Sequence, residues 1–155
     1  MDDSFTYATI HDLWNAHYSR AIENQLDVVH VPFVHHNTIG RNVGKVVDGP
    51  VIKWVDEDTF FIYPHNRTDD GKTPRKADDL ATPHPGGLRL EFMFPNLWQN
   101  RISDNVRIVA AFVPVDEEHT LLYLRFYQRF LRLPLLRYLL AWTAMPFNRL
   151  VLHQD

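Results

Sequence analysis

The sequence contains no cysteine. Disulfides, thiolate zinc sites, cysteine nucleophiles and iron–sulfur clusters held by Cys, alone or with His, are therefore excluded within its 155 residues. Glycine is also sparse, and there is no Gly-rich phosphate loop, no Gly-x-Ser-x-Gly elbow and no His-Glu-x-x-His pair. An excess of positive charge is missing. The formal net charge is −3 and the basic residues are scattered, which argues against nucleic acid as a partner. The acidic start, Met1-Asp2-Asp3-Ser4, lacks the apolar core of a signal peptide. The most apolar stretch, Leu131 to Leu152, is interrupted by Arg132, Arg137 and Arg149, which argues against a membrane span. Repeats and low-complexity tracts are absent. A single soluble, cytoplasmic domain over residues 1–155 is the expectation.

What is abundant is histidine, at nine residues. Two of them stand in an ordered stretch, Glu23-Asn-Gln-Leu-Asp-Val-Val-His-Val-Pro-Phe-Val-His35. Asn24, Asp27 and His30 are spaced by three and share a face if the stretch is helical. His35 is five beyond His30, about 140° out of phase on an ideal helix. Pro32 lies between them and is expected to bend or break the helix, which can bring the second ring round to the first. A carboxylate beside two imidazoles is the composition of a metal or acid/base site. Spacing alone leaves a His30–His36 pairing equally open. His17, His65, His84, His119 and His153 read as surface or turn residues, with His153 also within reach of the site from the last helix.

The first 14 residues are weakly patterned and read as a docking segment or short helix. Asn15 to Ala21 reads as a short strand. Val43–Val47, Val51–Val55 and Thr59–Tyr63 read as hairpin strands, with turns at Asp48-Gly49-Pro50 and Asp56-Glu57-Asp58. Residues 64–86 are polar and proline-rich and are expected to form a long mobile loop. Three strands follow, in which Leu88, Leu90, Phe92 and Phe94 alternate with Arg89, Glu91 and Met93, Val106, Ile108, Ala110 and Phe112 with Arg107, Val109, Ala111 and Val113, and Leu122, Leu124 and Phe126 with Tyr123, Arg125 and Tyr127. Leu97 to Ile102 adds a fourth, turned by Ser103-Asp104-Asn105. The end, from Pro134 to Asp155, reads as a helix with an apolar face of Leu135, Leu136, Leu139, Leu140 and Trp142. Pro146 is expected to kink or restart it. Phe147, Leu150, Val151 and Asp155 then share a face, and a carboxylate there is costly to bury without a cation, unless Asp155 is a solvated last residue. The expected fold class is α+β, an antiparallel sheet curled round a long C-terminal helix with a cavity between them. Phe92, Phe94, Trp98 and Phe112 are the aromatic candidates for lining that cavity, although such residues are more often core.

His30, His35 and Asp155 together would make the two-His, one-carboxylate set typical of non-haem Fe(II) oxygenases, with open positions for dioxygen and substrate. Glu23-Asn24-x-x-Asp27-x-x-His30-Val-Pro-Phe-Val-His35 closely resembles the iron-binding signature of the catalytic domain of Rieske non-haem iron oxygenases, the ring-hydroxylating group. Phe94-Pro-Asn-Leu-Trp98 resembles a mid-sheet stretch of that family. Asn148-Arg-Leu-Val-Leu-His-Gln-Asp155 resembles its late helix. The resemblance covers residues 14–155.

It implies a helix-grip, START-like fold, and mononuclear Fe(II) on His30, His35 and Asp155, with His35 selected over His36. It also implies that Asp27 is a bridging carboxylate that relays electrons and that Asn24 is its neighbour. The implied activity is use of O2 to hydroxylate or dealkylate an aromatic or other apolar substrate. Electrons would pass from NAD(P)H through a reductase, sometimes a ferredoxin, and a Rieske 2Fe-2S cluster. In a homotrimer that cluster would come from the adjacent subunit, with Asp27 at the junction. Two departures stand out: the Rieske Cys/His pairs are absent, and the sequence ends at Asp155, where the family helix continues. Two other readings remain: a metal-free helix-grip module that binds an apolar ligand without turnover, and a hydrolase using the same triad with zinc.

Overall fold

The structure, a computed structural model, describes residues 2–81, 86–131 and 133–154. Seven strands form one antiparallel sheet in the order β1-β7-β6-β5-β4-β3-β2. The strands are β1 Thr6–Trp14, β2 Val46–Trp54, β3 Thr59–Arg67, β4 Arg89–Met93, β5 Leu97–Arg101, β6 Val106–Pro114 and β7 Thr120–Gln128. Helices α1 (Tyr18–Leu26) and α2 (Val31–Val34) lie between β1 and β2, and α3 (Pro134–Leu152) follows β7. This is the α+β arrangement expected from the alternation of β4, β6 and β7, in the helix-grip form that the family resemblance implies.

Period two sends Leu90, Phe92, Trp98, Ala110, Phe112, Leu122 and Leu124 to one face, where they are buried together. Ala21 of α1 and Leu152 of α3 close over the same cluster. A smaller cluster joins Ala8 of β1 to Ala141 and Met145 of α3. Both helices therefore cover one face of the sheet, and burying that face is the main source of stability.

Several expectations are corrected. Residues 6–14 form a full strand paired to β7, with Thr6 opposite Gln128. Its buried positions are the small residues Thr6 and Ala8, so the strand carries almost no hydrophobic signal of its own. Tyr18 to Ala21 belong to α1, whose N-terminus is capped by His17 accepting from the Ser19 N–H, so no strand forms there. Asp48-Gly49-Pro50 is a bulge inside β2, and the chain continues along β3 on both sides of it. Gly49 takes φ +84°, which only glycine adopts without strain. The buried Asp48 carboxylate holds the bulge by accepting from the Arg75 N–H at 2.9 Å, Arg75 Nε at 2.8 Å and Arg67 Nε at 3.2 Å. Of segment 64–86, the first four residues lie in β3, a 3-10 turn spans Ala77–Asp79, and 82–85 lie outside the described residues.

Helix α3 runs through Pro146 without interruption. Its buried face is Ala141, Met145, Asn148 and Leu152, spaced at helical period. Leu135, Leu139 and Trp142 point outward and are more than half exposed, the reverse of the expected face. Close approach explains this: α3 crosses β1 and β7, where Ala8 and Ala141 let the two backbones come together.

Candidate functional site

The stretch from Asn24 to His35 is two helices with a break before Pro32. Asp27 caps the end of α1, and its Oδ1 accepts from the Val29 N–H at 2.8 Å. That side-chain bond takes a donor from the helical ladder and turns the chain. His30 becomes the N-cap of α2, Pro32 sits in its first turn, where a missing N–H costs nothing, and His35 is its C-cap. The two histidines thus stand at opposite ends of one helical turn. Their Nε2 atoms face each other at 3.2 Å, with ring planes 61° apart.

Both outer ring nitrogens face acceptors. His35 Nδ1 is 3.0 Å from Gln154 Oε1, which also accepts from Thr38 Oγ1 at 2.7 Å. His30 Nδ1 lies 3.7 Å from Asp27 Oδ2. A ring that donates from Nδ1 keeps its Nε2 lone pair free. With both Nδ1 atoms protonated, the inward edges of the pair are two lone pairs 3.2 Å apart, an arrangement that favours a cation between them; with a proton on one Nε2, the same contact is a hydrogen bond between the rings. Metal–nitrogen bonds of about 2.1 Å span that gap at an N–metal–N angle of about 100°. The pair therefore fits a transition-metal ion, and the acceptors behind it are the outer partners such ligands take.

His35 is held rigidly. Its ring is 2% exposed, its N–H bonds the Val31 carbonyl, and its own carbonyl accepts from the Thr38 and Gly40 N–H groups. A Cβ on Gly40 would lie 2.2 Å from the Val31 oxygen, so only glycine allows this turn to fold back on α2. His36 faces away and bonds the Phe33 carbonyl. Asn24 lies one turn before Asp27, with its Nδ2 buried and without a hydrogen-bond partner among the described residues.

Asp155 lies outside the described residues, as does His84. Among the described residues no group of three or more His, Asp or Glu converges as a metal site. The structure does bring the preceding residue, Gln154, onto His35. Gln154, Thr38 and Gly40 escaped the sequence reading because their roles depend on contacts no local pattern announces; Gln154 meets His35 across 119 positions. Asp12 was missed in the same way. This largely buried carboxylate meets His153 Nε2 at 3.1 Å and Arg149 Nη2 at 3.7 Å, tying the end of α3 to β1. His153 thus faces β1. His17 caps α1 and His119 pairs with Asp116 in a turn, while His65 lies in β3 with its Nε2 buried.

A cavity of about 620 Å³ opens beside α1, with Ile22, Leu26 and Asp27 on one wall and Phe60, Phe92 and Phe94 on the other. Asp27 therefore borders both the cavity and His30. Trp98 and Phe112 are packed into the buried cluster beneath. A smaller space of about 360 Å³ lies between Asp12, Trp14, Leu152 and His153. Among the described residues no helix is long and apolar enough to cross a membrane.

Residues 14–155 match the sequence profile described as the vanillate O-demethylase oxygenase C-terminal domain. No curated protein sequence matches the chain. The fold recurs in solved structures. NdmA of Pseudomonas putida CBB5 with caffeine is 20% identical, over 99% of this chain and 42% of that one, with a TM-score of 0.61. The quaternary ammonium Rieske monooxygenase CntA with L-carnitine is 16% identical, over 94% and 36%, with a TM-score of 0.62. The carbazole-bound oxygenase and ferredoxin complex of carbazole 1,9a-dioxygenase is 13% identical, over 84% and 39%, with a TM-score of 0.60. At these identities the likeness is one of fold, and the chain spans about two fifths of the length of those it matches.

Proposed function

Because the chain belongs to the vanillate O-demethylase oxygenase C-terminal domain family, and so to the catalytic domains of Rieske-type oxygenases, we propose that it is the iron-bearing, substrate-oxidising unit of such an enzyme. The observation that supports this most is the facing pair of Nε2 atoms, 3.2 Å apart, with Gln154 behind His35. His30, His35 and Asp155 would hold a mononuclear Fe(II). When bound, the iron supplies dioxygen activation for hydroxylation or dealkylation of an aromatic or other apolar substrate.

The chain's own residues have distinct tasks in this reading. Gln154 Oε1 accepts from His35 Nδ1 and so fixes the tautomer that leaves the Nε2 lone pair facing inward. Asp27 orients His30 and, being half exposed, offers a carboxylate at the surface through which an electron donor is coupled to the pair. Asn24 stands beside it on α1. The apolar wall of Phe60, Phe92 and Phe94 takes up the substrate and keeps water from it. Inserting one oxygen atom from O2 into a C–H bond also consumes two electrons and two protons and yields water. With no cysteine in the sequence, those electrons come from a Rieske 2Fe-2S cluster on another domain or chain, fed by a ferredoxin or an NAD(P)H-dependent reductase. A homotrimer would place a neighbour's cluster at Asp27.

The test is anaerobic reconstitution of the full chain with Fe(II), read by metal content and by the electron paramagnetic resonance of its nitric oxide adduct. One iron per chain is expected, lost in His30→Ala and in His35→Ala. A second reading, a metal-free pocket for an apolar ligand, draws on the aromatic cavity and on the lack of a three-ligand group among the described residues. Failure to bind iron, with an apolar fluorescent probe still taken up by wild type and by His30→Ala, would establish it instead.

A further inference from the structure

The face of the sheet opposite α1 and α3 carries a row of directly opposed arginines, balanced in part by carboxylates of the chain itself. Strand register puts Arg89 directly opposite Arg101, and Arg101 directly opposite Arg107. Their neighbours Leu90 and Ile108 turn inward, so the three guanidinium groups form one outward row across β4, β5 and β6. Directly opposed side chains have Cβ atoms about 5 Å apart, and like charges so placed destabilise a sheet. Water does little to screen the first two, because Arg89 is 8% exposed and the Arg101 side chain 16%.

Compensation within the row is uneven. Arg89 Nη2 meets Glu91 Oε1 at 2.7 Å, and Arg101 is ion-paired with Asp104, whose carboxyl pKa is held below its ordinary value by Arg101 first and then by Arg129 and Arg107. Arg107 differs. Its Nε is buried without a hydrogen-bond partner among the described residues, and its guanidinium lies over the Phe5 ring at 5.4 Å. Arg129 stacks on the same ring at 4.8 Å, donates from Nε to Asn105 Oδ1 at 3.2 Å, and reaches the exposed Asp2 at 3.7 Å. Burial, and then repulsion from Arg101, pull the Arg107 pKa below its ordinary value. Glu91 opposes this, and Arg129 and Arg89 add to it.

We propose that Arg101, Arg107 and Arg129 form a binding site for an oxyanion, a phosphate or carboxylate group, on the outer face of the sheet. Guanidinium groups offer paired N–H donors that match two oxygens of such a group. The stacking of Arg107 and Arg129 on Phe5 holds their planes in place before a ligand arrives. The site lies across the sheet from the histidine pair, so it serves anchoring or regulation rather than chemistry. It does not depend on the oxygenase reading.

The test uses the full chain and two probes, sodium pyrophosphate and a hexaglutamate peptide, each titrated at constant ionic strength against sodium chloride. Thermal unfolding is expected to shift upward and saturate with at least one probe. A response to pyrophosphate alone assigns a free oxyanion, and a tighter response to the peptide assigns carboxylates on a protein surface. Arg107→Gln is expected to weaken binding at least tenfold and to leave the ligand-free protein as stable as wild type or more so, since repulsion is relieved. Arg125→Gln, on the same face but outside the row, is expected to bind like wild type. The proposal is overturned by the absence of a saturable response, or by an undiminished one in Arg107→Gln. If Arg107→Gln does not fold, the wild-type titration alone decides, because a response no greater than that to chloride overturns the proposal.

Discussion

Replacing Gln154 by leucine tests the site at its least obvious point. The Gln154 amide oxygen accepts from His35 Nδ1 at 3.0 Å and from Thr38 Oγ1 at 2.7 Å, so leucine removes two bonds at nearly constant volume. Thr38 keeps the His35 carbonyl as an acceptor at 3.3 Å. The larger loss falls on the His35 ring, which is 2% exposed. Lost neutral bonds of about 1 kcal/mol each, plus incomplete desolvation of a buried donor, give about 1–3 kcal/mol in folding stability. The metal effect is separate: a ligand histidine without its outer partner is expected to lose about 10- to 100-fold in affinity. Urea unfolding measures the first quantity, and anaerobic Co(II) titration followed by visible absorption measures the second. Thr38→Val is the control, since it removes a hydroxyl but leaves the Gln154–His35 bond, so its affinity is expected to stay within about threefold of wild type. A Gln154→Leu protein that is destabilised but binds Co(II) as tightly as wild type would refute the reasoning and reduce Gln154 to a clamp on the end of α3.

Three further outcomes are expected. Gly40→Ala places a Cβ 2.2 Å from the Val31 oxygen and 2.9 Å from that of His35. The turn has to move by about 1 Å, at about 1–3 kcal/mol in urea unfolding and with clearly weaker Co(II) binding. Asp48 has its carboxyl pKa lowered to about 2, first by the Arg75 N–H and then by the Arg75 and Arg67 side chains, against the opposing effect of burial. A depressed folded-state pKa stabilises the fold above the unfolded value of about 4 and loses that contribution as pH falls toward about 2. Urea midpoints are expected to fall across that window, and less steeply in Asp48→Asn. Ala141→Leu, on the face of α3 that touches β1, is expected to cost about 1–3 kcal/mol by overpacking, whereas Leu139→Ala on the outer face changes the thermal midpoint little.

Strands β4, β6 and β7 were legible because each carries its own period-two alternation of apolar residues, and that signal needs no partner. Strand β1 was not, because Thr6 and Ala8 are small and only pairing with β7, more than a hundred residues on, makes the segment a strand. The face of α3 was misread for a related reason. Hydrophobicity favours its leucines, but the sheet admits only the close approach that Ala141 permits. Asp48-Gly49-Pro50 carries a turn's composition, and only Arg67 and Arg75, from β3 and the loop beyond it, make it a bulge.

By itself the sequence determined the fold class, the spacing of Asn24, Asp27, His30 and His35, and the absence of any cysteine that could carry a cluster. Tertiary structure alone decided that the helix breaks at Asp27, that the two imidazoles meet edge to edge, and that Gln154 stands behind one of them. Local pattern encodes periodicity, which neighbouring residues set among themselves. The direction of a ring nitrogen is set by whichever acceptor the rest of the chain brings up to it, and that is fixed only once the chain has closed on itself.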